Sequence, residues 1–366
     1  MLTLRVFSAT GGIEKVCRIA GKAIYEMTLQ WPTALQIFSM HDNSLDADDN
    51  KYFPSEMFRG FGARRIKFVI ASVRAGLKSD IVIISHVNLL VIGWLIKKIS
   101  PSKRVILFAH GIEVWEKLNK RKKRLLSCCY QIFSVSNFTC KKLHDLHGFP
   151  SEKCRVLNNC LDPFLPLPSK VKNEQLLSKY GFNKNDKILF GLTRLSSKER
   201  YKGYDKVMEA MRDIKVSYPG IRYFLAGKYD YKEKKYLDTI KEKMDLNENV
   251  IIPGYIADKE LGDYFSIADI YVMPSMKEGF GIVFIEAMYY GVPVIAGNLD
   301  GSADALCNGE LGLLVNPLNA NEIQHAIEKI LANKTSHTPN HDLLMQKFSY
   351  TAYKNNLEVM LRESCN

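Results

Sequence analysis

Short runs rich in Val, Ile and Phe recur along the chain, separated by longer stretches with helical spacing. In the first half they fall at residues 4–7, 35–40, 81–85, 105–109 and 132–135. A second series follows at 188–192, 223–226, 250–252, 270–273, 292–296 and 312–315. Strands alternating with helices imply βαβ units and parallel sheets, and two such series imply two doubly wound α/β domains. Between them, residues 162–168 hold three prolines (163, 166 and 168), a stretch that neither a helix nor a central strand crosses easily. The expected organisation is a Rossmann-like domain over 1–165 and a second over 166–347. Open parallel sheets bind ligands beyond the carboxyl ends of their strands, so two facing domains would line a cleft.

Composition narrows the class. With 366 residues, 46% hydrophobic and 25% charged, the chain is long enough for two cores and is neither a small module nor a disordered protein. Charge is uneven: residues 1–165 carry 25 Lys and Arg against 13 Asp and Glu, whereas 166–366 carry 26 of each. Residues 59–124 alone hold 16 basic side chains against 3 acidic ones, including the run from Lys120 to Arg124. Such a field favours anionic partners. Leu89, Leu90, Trp94, Leu125 and Leu126 lie in the same region, either to enter a membrane surface shallowly or to pack internally. The apolar stretch 81–96 is shorter than the roughly 20 residues that span a bilayer, and reads as a buried strand followed by a core helix. The eight cysteines show no metal-ligand spacing and read as ordinary thiols. The N-terminus runs into a glycine pair without room for a signal peptide, so a cytoplasmic enzyme is expected.

The strongest chemical pattern is residues 276–288. Gly279 and Gly281 allow unusual backbone angles and close approach of a ligand ahead of an apolar, buried-looking helix beginning at Ile282, so Gly279, Phe280, Gly281 and Ile282 are donor-binding candidates. Free N–H groups at that helix start suit a phosphate. Glu278 stands just before the helix and Glu286 about one turn into it, and carboxylates are natural acceptors for sugar or ribose hydroxyls. Arg194, at the end of one strand, and Lys202, at the entrance of the next helix, supply a forked donor and a point charge to one anion. His110 ends the strand at 105–109, with Glu113 close behind, and His86 ends another. Ser136 reads as a helix cap.

The Glu-x7-Glu stretch, with Pro274-Ser275 before it and residues 291–296 after it, resembles the signature of family 4 retaining glycosyltransferases with the GT-B fold. The resemblance implies that Glu278 contacts the donor sugar and Glu286 the ribose. It implies that Arg194 and Lys202 neutralise the diphosphate, that the Gly11-Gly12 loop lies against it, and that His110 contacts the sugar near the reacting centre. His86 and Glu113 fall on the acceptor side, and Tyr255 and Ile256 near the nucleotide base. The helical segment 348–366 resembles the terminal helix that returns to the first domain. The implied reaction is metal-independent hexosyl transfer with retention and needs no cofactor. The donor would be a nucleotide sugar, GDP-mannose preferred or a UDP-hexose, partly on account of the loop 298–304. The acceptor would be a lipid-linked oligosaccharide or glycan in bacterial surface-polysaccharide, lipopolysaccharide or O-antigen assembly, with the enzyme peripheral on the inner face of the membrane.

Three other readings compete. Asp46 and Asp48 form a D-x-D pair that could hold a divalent ion for a metal-dependent transferase, although 41–50 is continuously polar and reads as a surface loop. An epimerase or sugar phosphorylase would share the fold. A nucleic-acid binder would use the basic first half, but no recognisable motif accompanies it, so no nucleic-acid partner is expected.

Overall fold

The computed structural model describes residues 1–31, 33–169 and 171–365. It divides into two compact units, one of Met1–Pro163 with Phe348–Asn366 and one of Phe164–Lys347. Asn366, the last residue of the segment 348–366, lies outside the described residues.

In the first unit the strands are β1 (Leu2–Thr3), β2 (Ile37–Ser39), β3 (Phe58–Gly60), β4 (Ile81–Ile84), β5 (Arg104–Ala109), β6 (Gln131–Ser134) and β7 (Cys154–Val156). They form one parallel sheet in the order β3-β2-β1-β4-β5-β6-β7. Both faces are covered, as a parallel sheet requires. Ile83, Ile106, Phe108 and Phe133 point into one core, and Val82, Ile84, Val105, Leu107 and Ile132 into the other. The second unit contains β8 (Lys187–Leu192), β9 (Ile221–Ala226), β10 (Val250–Gly254), β11 (Ile270–Met273), β12 (Val294–Gly297) and β13 (Leu313–Val315). Its parallel sheet runs β10-β9-β8-β11-β12-β13. Strand order therefore reverses between β1 and β4 in one unit and between β8 and β11 in the other. Crevices open at such points.

The helix Tyr350–Glu363 belongs to the first unit. Its Tyr353, Leu357, Met360 and Leu361 are buried in that core beside the helix Gly12–Thr28, and Lys354 pairs with Glu26 at 3.0 Å.

Several expectations give way. The first strand is Leu2–Thr3, and residues 4–7 are loop. The reason is Asp42, which accepts from the N–H groups of Val6 (2.6 Å) and Ser8 (2.8 Å) and from the Ser39 hydroxyl (2.5 Å). Asp42 is completely buried, so the polar stretch 41–50 is not uniformly surface. Asp46 accepts from the Asn43 N–H at 2.8 Å, and both Asp46 and Asp48 are exposed. The short strands β3 and β7 carry no hydrophobic run and escaped the pattern. Leu89, Leu90 and Leu126 are core residues with no surface to offer a membrane. Cys140 and Cys154 do not remain ordinary thiols: the helix Asn137–His147 and β7 bring their Cα atoms to 5.9 Å, and they pair as a disulfide. Ser136 caps that helix, its hydroxyl accepting from the Thr139 N–H at 3.2 Å. No helix among the described residues is long and apolar enough to cross a membrane; 81–96 divides into β4 and the helix Leu90–Ile99.

Asp42→Ala strands three donors at once, two of them backbone N–H groups. Loss of about 3 kcal/mol is expected in urea unfolding, with a smaller loss for Asp42→Asn, whose amide oxygen still accepts. A change within about 0.5 kcal/mol for the alanine variant would show that Asp42 is not what holds the loop.

Candidate functional site

In the second unit, β8 and β11 lie side by side, with Ile270 opposite Leu189 and Tyr271 opposite Phe190. Their outgoing loops therefore meet. The loop after β8 passes through a single helical turn, Arg200–Lys202, and then Gly203. Gly203 has φ +76°, and a Cβ there would lie 2.2 Å from the Pro274 carbonyl oxygen, so only glycine lets the turn rest on the other loop. The Met276 N–H completes the join by donating to the Tyr201 carbonyl at 2.8 Å. Across it the Lys202 ammonium pairs with the Glu278 carboxylate, and the two side chains are only 12% and 19% exposed. Burial works against the charge on Lys202, but Glu278 holds the ammonium above its ordinary pKa.

Glu278 is held from behind as well. Its N–H donates to Asp300 at 2.6 Å, and its carbonyl accepts from the Gly301 N–H at 2.8 Å. Asp300 also accepts from the Ser302 N–H at 2.9 Å. Burial pushes the Asp300 carboxyl up to about 7, with bonds from Ser302 opposing the shift and the charge of Glu278 adding to it. Gly281, at φ +87°, opens the helix Ile282–Tyr289. A side chain on Gly281 would strike the Phe284 ring at 2.3 Å. Glu286 lies on this helix and is 3% exposed. Phe280 and Gly279 are buried and Ile282 is half-buried.

The structure thus brings together Lys202, Glu278 and the segment Gly279–Ile282 ahead of Glu286. Arg194 stands apart from that pair: it is 69% exposed and bound to Glu199 at 3.0 Å. Tyr255 is exposed just beyond β10, at the far edge of the same sheet end, and Ile256 is buried. Sequence reasoning missed Lys277, whose ammonium lies 5.8 Å from the centre of the Tyr201 ring, with that of Lys202 at 5.7 Å on the same ring. Its adjacency to Glu278 was the available signal. Asp300 was read only as part of a loop.

The first unit carries a separate cluster where β1, β4 and β5 end. Leu4, Arg5, Ile13, Glu14, His41, Ser85 and His86 line a cavity of about 250 Å³. His110 Nε2 is 2.8 Å from the Ser85 carbonyl, which can only accept, so Nε2 carries the proton and Nδ1 is an acceptor. Nδ1 is buried and has no hydrogen-bond partner among the described residues. Burial lowers the His110 pKa to about 4, against the opposing effects of Ser85 and Glu14. The Glu113 carboxylate accepts from the backbone N–H of His110 at 2.6 Å, and burial pushes Glu113 up. Burial also lowers His86, whose Nδ1 accepts from the Asn88 N–H. Gly11 caps the helix Gly12–Thr28, but a Cβ on Gly11 would lie 2.3 Å from a Glu14 carboxylate oxygen, so that helix start already faces an anion of its own.

These sheets, loops and carboxylates define a two-unit α/β protein of the GT-B type. The model of glycosyl transferases group 1 matches residues 172–354, and that of glycosyltransferase family 4 matches residues 35–163. The chain belongs to the glycosyl transferases group 1 family. A 41.2 kDa protein of the cps region of Klebsiella pneumoniae is 31% identical over 176 residues, covering 48% of this chain and 45% of that protein. The GDP-mannose-dependent alpha-(1-6)-phosphatidylinositol monomannoside mannosyltransferase of Mycobacterium tuberculosis is 25% identical over 65% of this chain and 63% of its own. This chain therefore spans about half to two thirds of these relatives. Among solved structures, Anabaena HepE in complex with UDP shares the fold, with a TM-score of 0.81 at 19% identity over 99% of both chains.

Asp300 yields a pH prediction. Its folded pKa of about 7 is above the ordinary carboxylate value, so its contribution to stability is full below about pH 4 and is lost as pH rises through 7. Wild type is expected to lose stability relative to Asp300→Asn across that window, by at most about 4 kcal/mol, in denaturant titrations at stepped pH. Parallel stability curves for the two proteins would refute the assignment.

Proposed function

We propose that this protein is a retaining glycosyltransferase that moves a hexose from a nucleotide sugar to a lipid-linked or glycan acceptor of bacterial surface-polysaccharide assembly. The observation that carries the reading is the Lys202–Glu278 pair at the β8/β11 crevice, directly ahead of the helix that bears Glu286. In the free protein each of these charges satisfies the other. An incoming diphosphate takes over Lys202, which releases Glu278 to accept from a sugar hydroxyl, so donor binding assembles the site. Arg194, exposed and paired with Glu199, turns to the same anion. Glu286 holds the ribose. Gly11 and Gly12, at the start of the helix Gly12–Thr28, are further candidates for contact with the diphosphate. His110, neutral near pH 7, offers Nδ1 as an acceptor to a sugar hydroxyl and does not serve as an acid.

Transfer breaks the bond from the anomeric carbon to the phosphate oxygen and forms one to the acceptor oxygen on the same face. The departing diphosphate takes the acceptor proton. Lys202 and Arg194 stabilise its growing charge, and no metal or cofactor is assigned a part. His86 and Glu113 border the acceptor. The donor is GDP-mannose in preference to a UDP-hexose. The Mycobacterium relative is named for GDP-mannose, whereas HepE was solved with UDP, so both donors belong in the test.

Incubation with a panel of nucleotide sugars in excess EDTA is expected to yield transfer or slow hydrolysis with one donor, retained at the anomeric centre. Loss of all activity on chelation, restored by Mn²⁺ or Mg²⁺, would overturn the metal-independent reading. In calorimetry, Glu286→Ala should weaken nucleotide binding by one to two decades, the worth of a charge-assisted contact at about 1.5–3 kcal/mol.

The basic face of the first unit supports attachment to an anionic membrane on the cytoplasmic side. The exposed residues Arg64, Arg65, Lys67 and Arg74 surround Ile66, which is 77% exposed, and Ile70, 47% exposed; Lys120, Arg121, Lys123 and Arg124 are exposed as well. Each such cation contributes up to about 1 kcal/mol near an acidic surface. Flotation should recover the protein with acidic liposomes at low salt and release it at high salt. Equal recovery with neutral vesicles would reject the attachment, and tight binding to duplex DNA would favour a nucleic-acid partner instead.

A further inference from the structure

Three cations stand in the run 198–202, and the structure gives them different surroundings. Lys198 is exposed. Lys202 faces Glu278. Arg200 turns the opposite way, toward Glu233. Its Nε donates to both Glu233 oxygens, at 2.9 and 3.2 Å, and its guanidinium carbon lies 3.6 Å from the centre of the Tyr236 ring.

Glu233 sits in the first turn of the helix Tyr231–Lys243 and is completely buried, although Lys232, Lys234 and Lys235 surround it in sequence. It also accepts from the Tyr204 hydroxyl at 2.6 Å. The same helix start holds the segment further upstream. Asp230 caps the Glu233 N–H through one oxygen at 2.8 Å, and through the other takes the Ser196 hydroxyl (3.0 Å) and the Ser197 N–H (2.9 Å). One helix end thus clamps the chain at 196–197, at 200 and at 204. Lys202 lies midway between the two residues that Glu233 holds.

A buried carboxylate paired with a half-exposed Arg is a weak source of stability, because desolvation offsets much of the attraction. A shape-matched apolar contact would stabilise the helix at least as well. What the ionic arrangement supplies is direction, since the Arg200 Nε shared between both Glu233 oxygens, the Tyr204 hydroxyl on one of them and the Tyr236 ring against the guanidinium fix orientation as well as distance. The fixed object is a turn whose last residue is Lys202.

We propose that Glu233 is a positioning residue for transfer: by holding Arg200 and Tyr204 on either side of Lys202, it keeps that ammonium where the donor diphosphate meets it. The inference rests on the reading of Lys202 as a diphosphate ligand. Glu233 is buried and acts only through its neighbours.

The test is a double-mutant cycle on the full chain, comparing wild type, Glu233→Gln, Lys202→Ala and the double variant. Nucleoside diphosphate affinity is read by calorimetry, and kcat and donor KM by transfer, each per folded molecule. Glu233→Gln should weaken diphosphate binding and lower kcat/KM for the donor about tenfold, with acceptor KM unchanged. In the Lys202→Ala background the same substitution should cost nothing further, because its effect runs through Lys202. Should Glu233→Gln not fold, Arg200→Gln, altered at the half-exposed partner, goes through the same cycle with the same expectation. Unchanged donor kinetics with only a lowered melting temperature would overturn the proposal, as would losses that multiply in the double variant. If Lys202→Ala alone binds diphosphate and turns over like wild type, the reading of Lys202 itself fails, a result distinct from the other two.

Discussion

The Lys202–Glu278 ion pair is the constraint around which the second unit is arranged. Two charges that are largely withdrawn from water are tolerable only together, and removal of either leaves the other uncompensated. Neighbouring features serve that meeting. Gly203 lets the lysine turn lie on the Pro274 carbonyl, Asp300 and Gly301 hold the Glu278 backbone from behind, and Gly281 turns the chain into the helix carrying Glu286. Because the pair spans the strands where sheet order reverses, the topology, not a local motif, creates the contact.

Two ways of burying ionisable groups stand side by side. In the second unit charge is mostly kept by pairing, Lys202 with Glu278, Arg200 with Glu233, and Asp269 with Lys172 and Lys334, while Asp300 is pushed toward neutrality. At the cluster beyond β4 and β5 in the first, burial moves the groups toward neutrality, His110 and His86 downward and Glu113 upward. A neutral, partly unsatisfied polar cluster suits recognition of hydroxyls, whereas opposed charges suit exchange with an anion.

Much of the architecture was legible in the chain. The alternation of short apolar runs with helical spacing was enough for two doubly wound parallel sheets, because buried central strands such as β5 and β11 are apolar on both faces. The edge strands β3 and β7 were not legible, since Phe-Arg-Gly and Cys-Arg-Val carry no comparable run. Lys202 and Glu278 could each be placed near a helix start, but their contact across 76 residues could not be read locally. The hidden carboxylates were the hardest. Asp42 sits in a polar stretch and Glu233 in a lysine-rich one, and each sequence context describes a solvated surface. Only the tertiary packing reveals that these two acids are inside, holding loops by donors they collect from elsewhere. The Cys140–Cys154 pairing likewise depends on a helix and an edge strand meeting, which spacing alone does not specify.

The helix Tyr350–Glu363 places side chains from near the end of the chain in the core of the unit that begins it. During synthesis, the segment Phe164–Lys347 leaves the ribosome with all its own strands, while the earlier-made unit still lacks Tyr353, Leu357, Met360 and Leu361. Of the two units, the one translated earlier is consequently the one sealed later. A stop ahead of Tyr350 would open the core of the unit made before it.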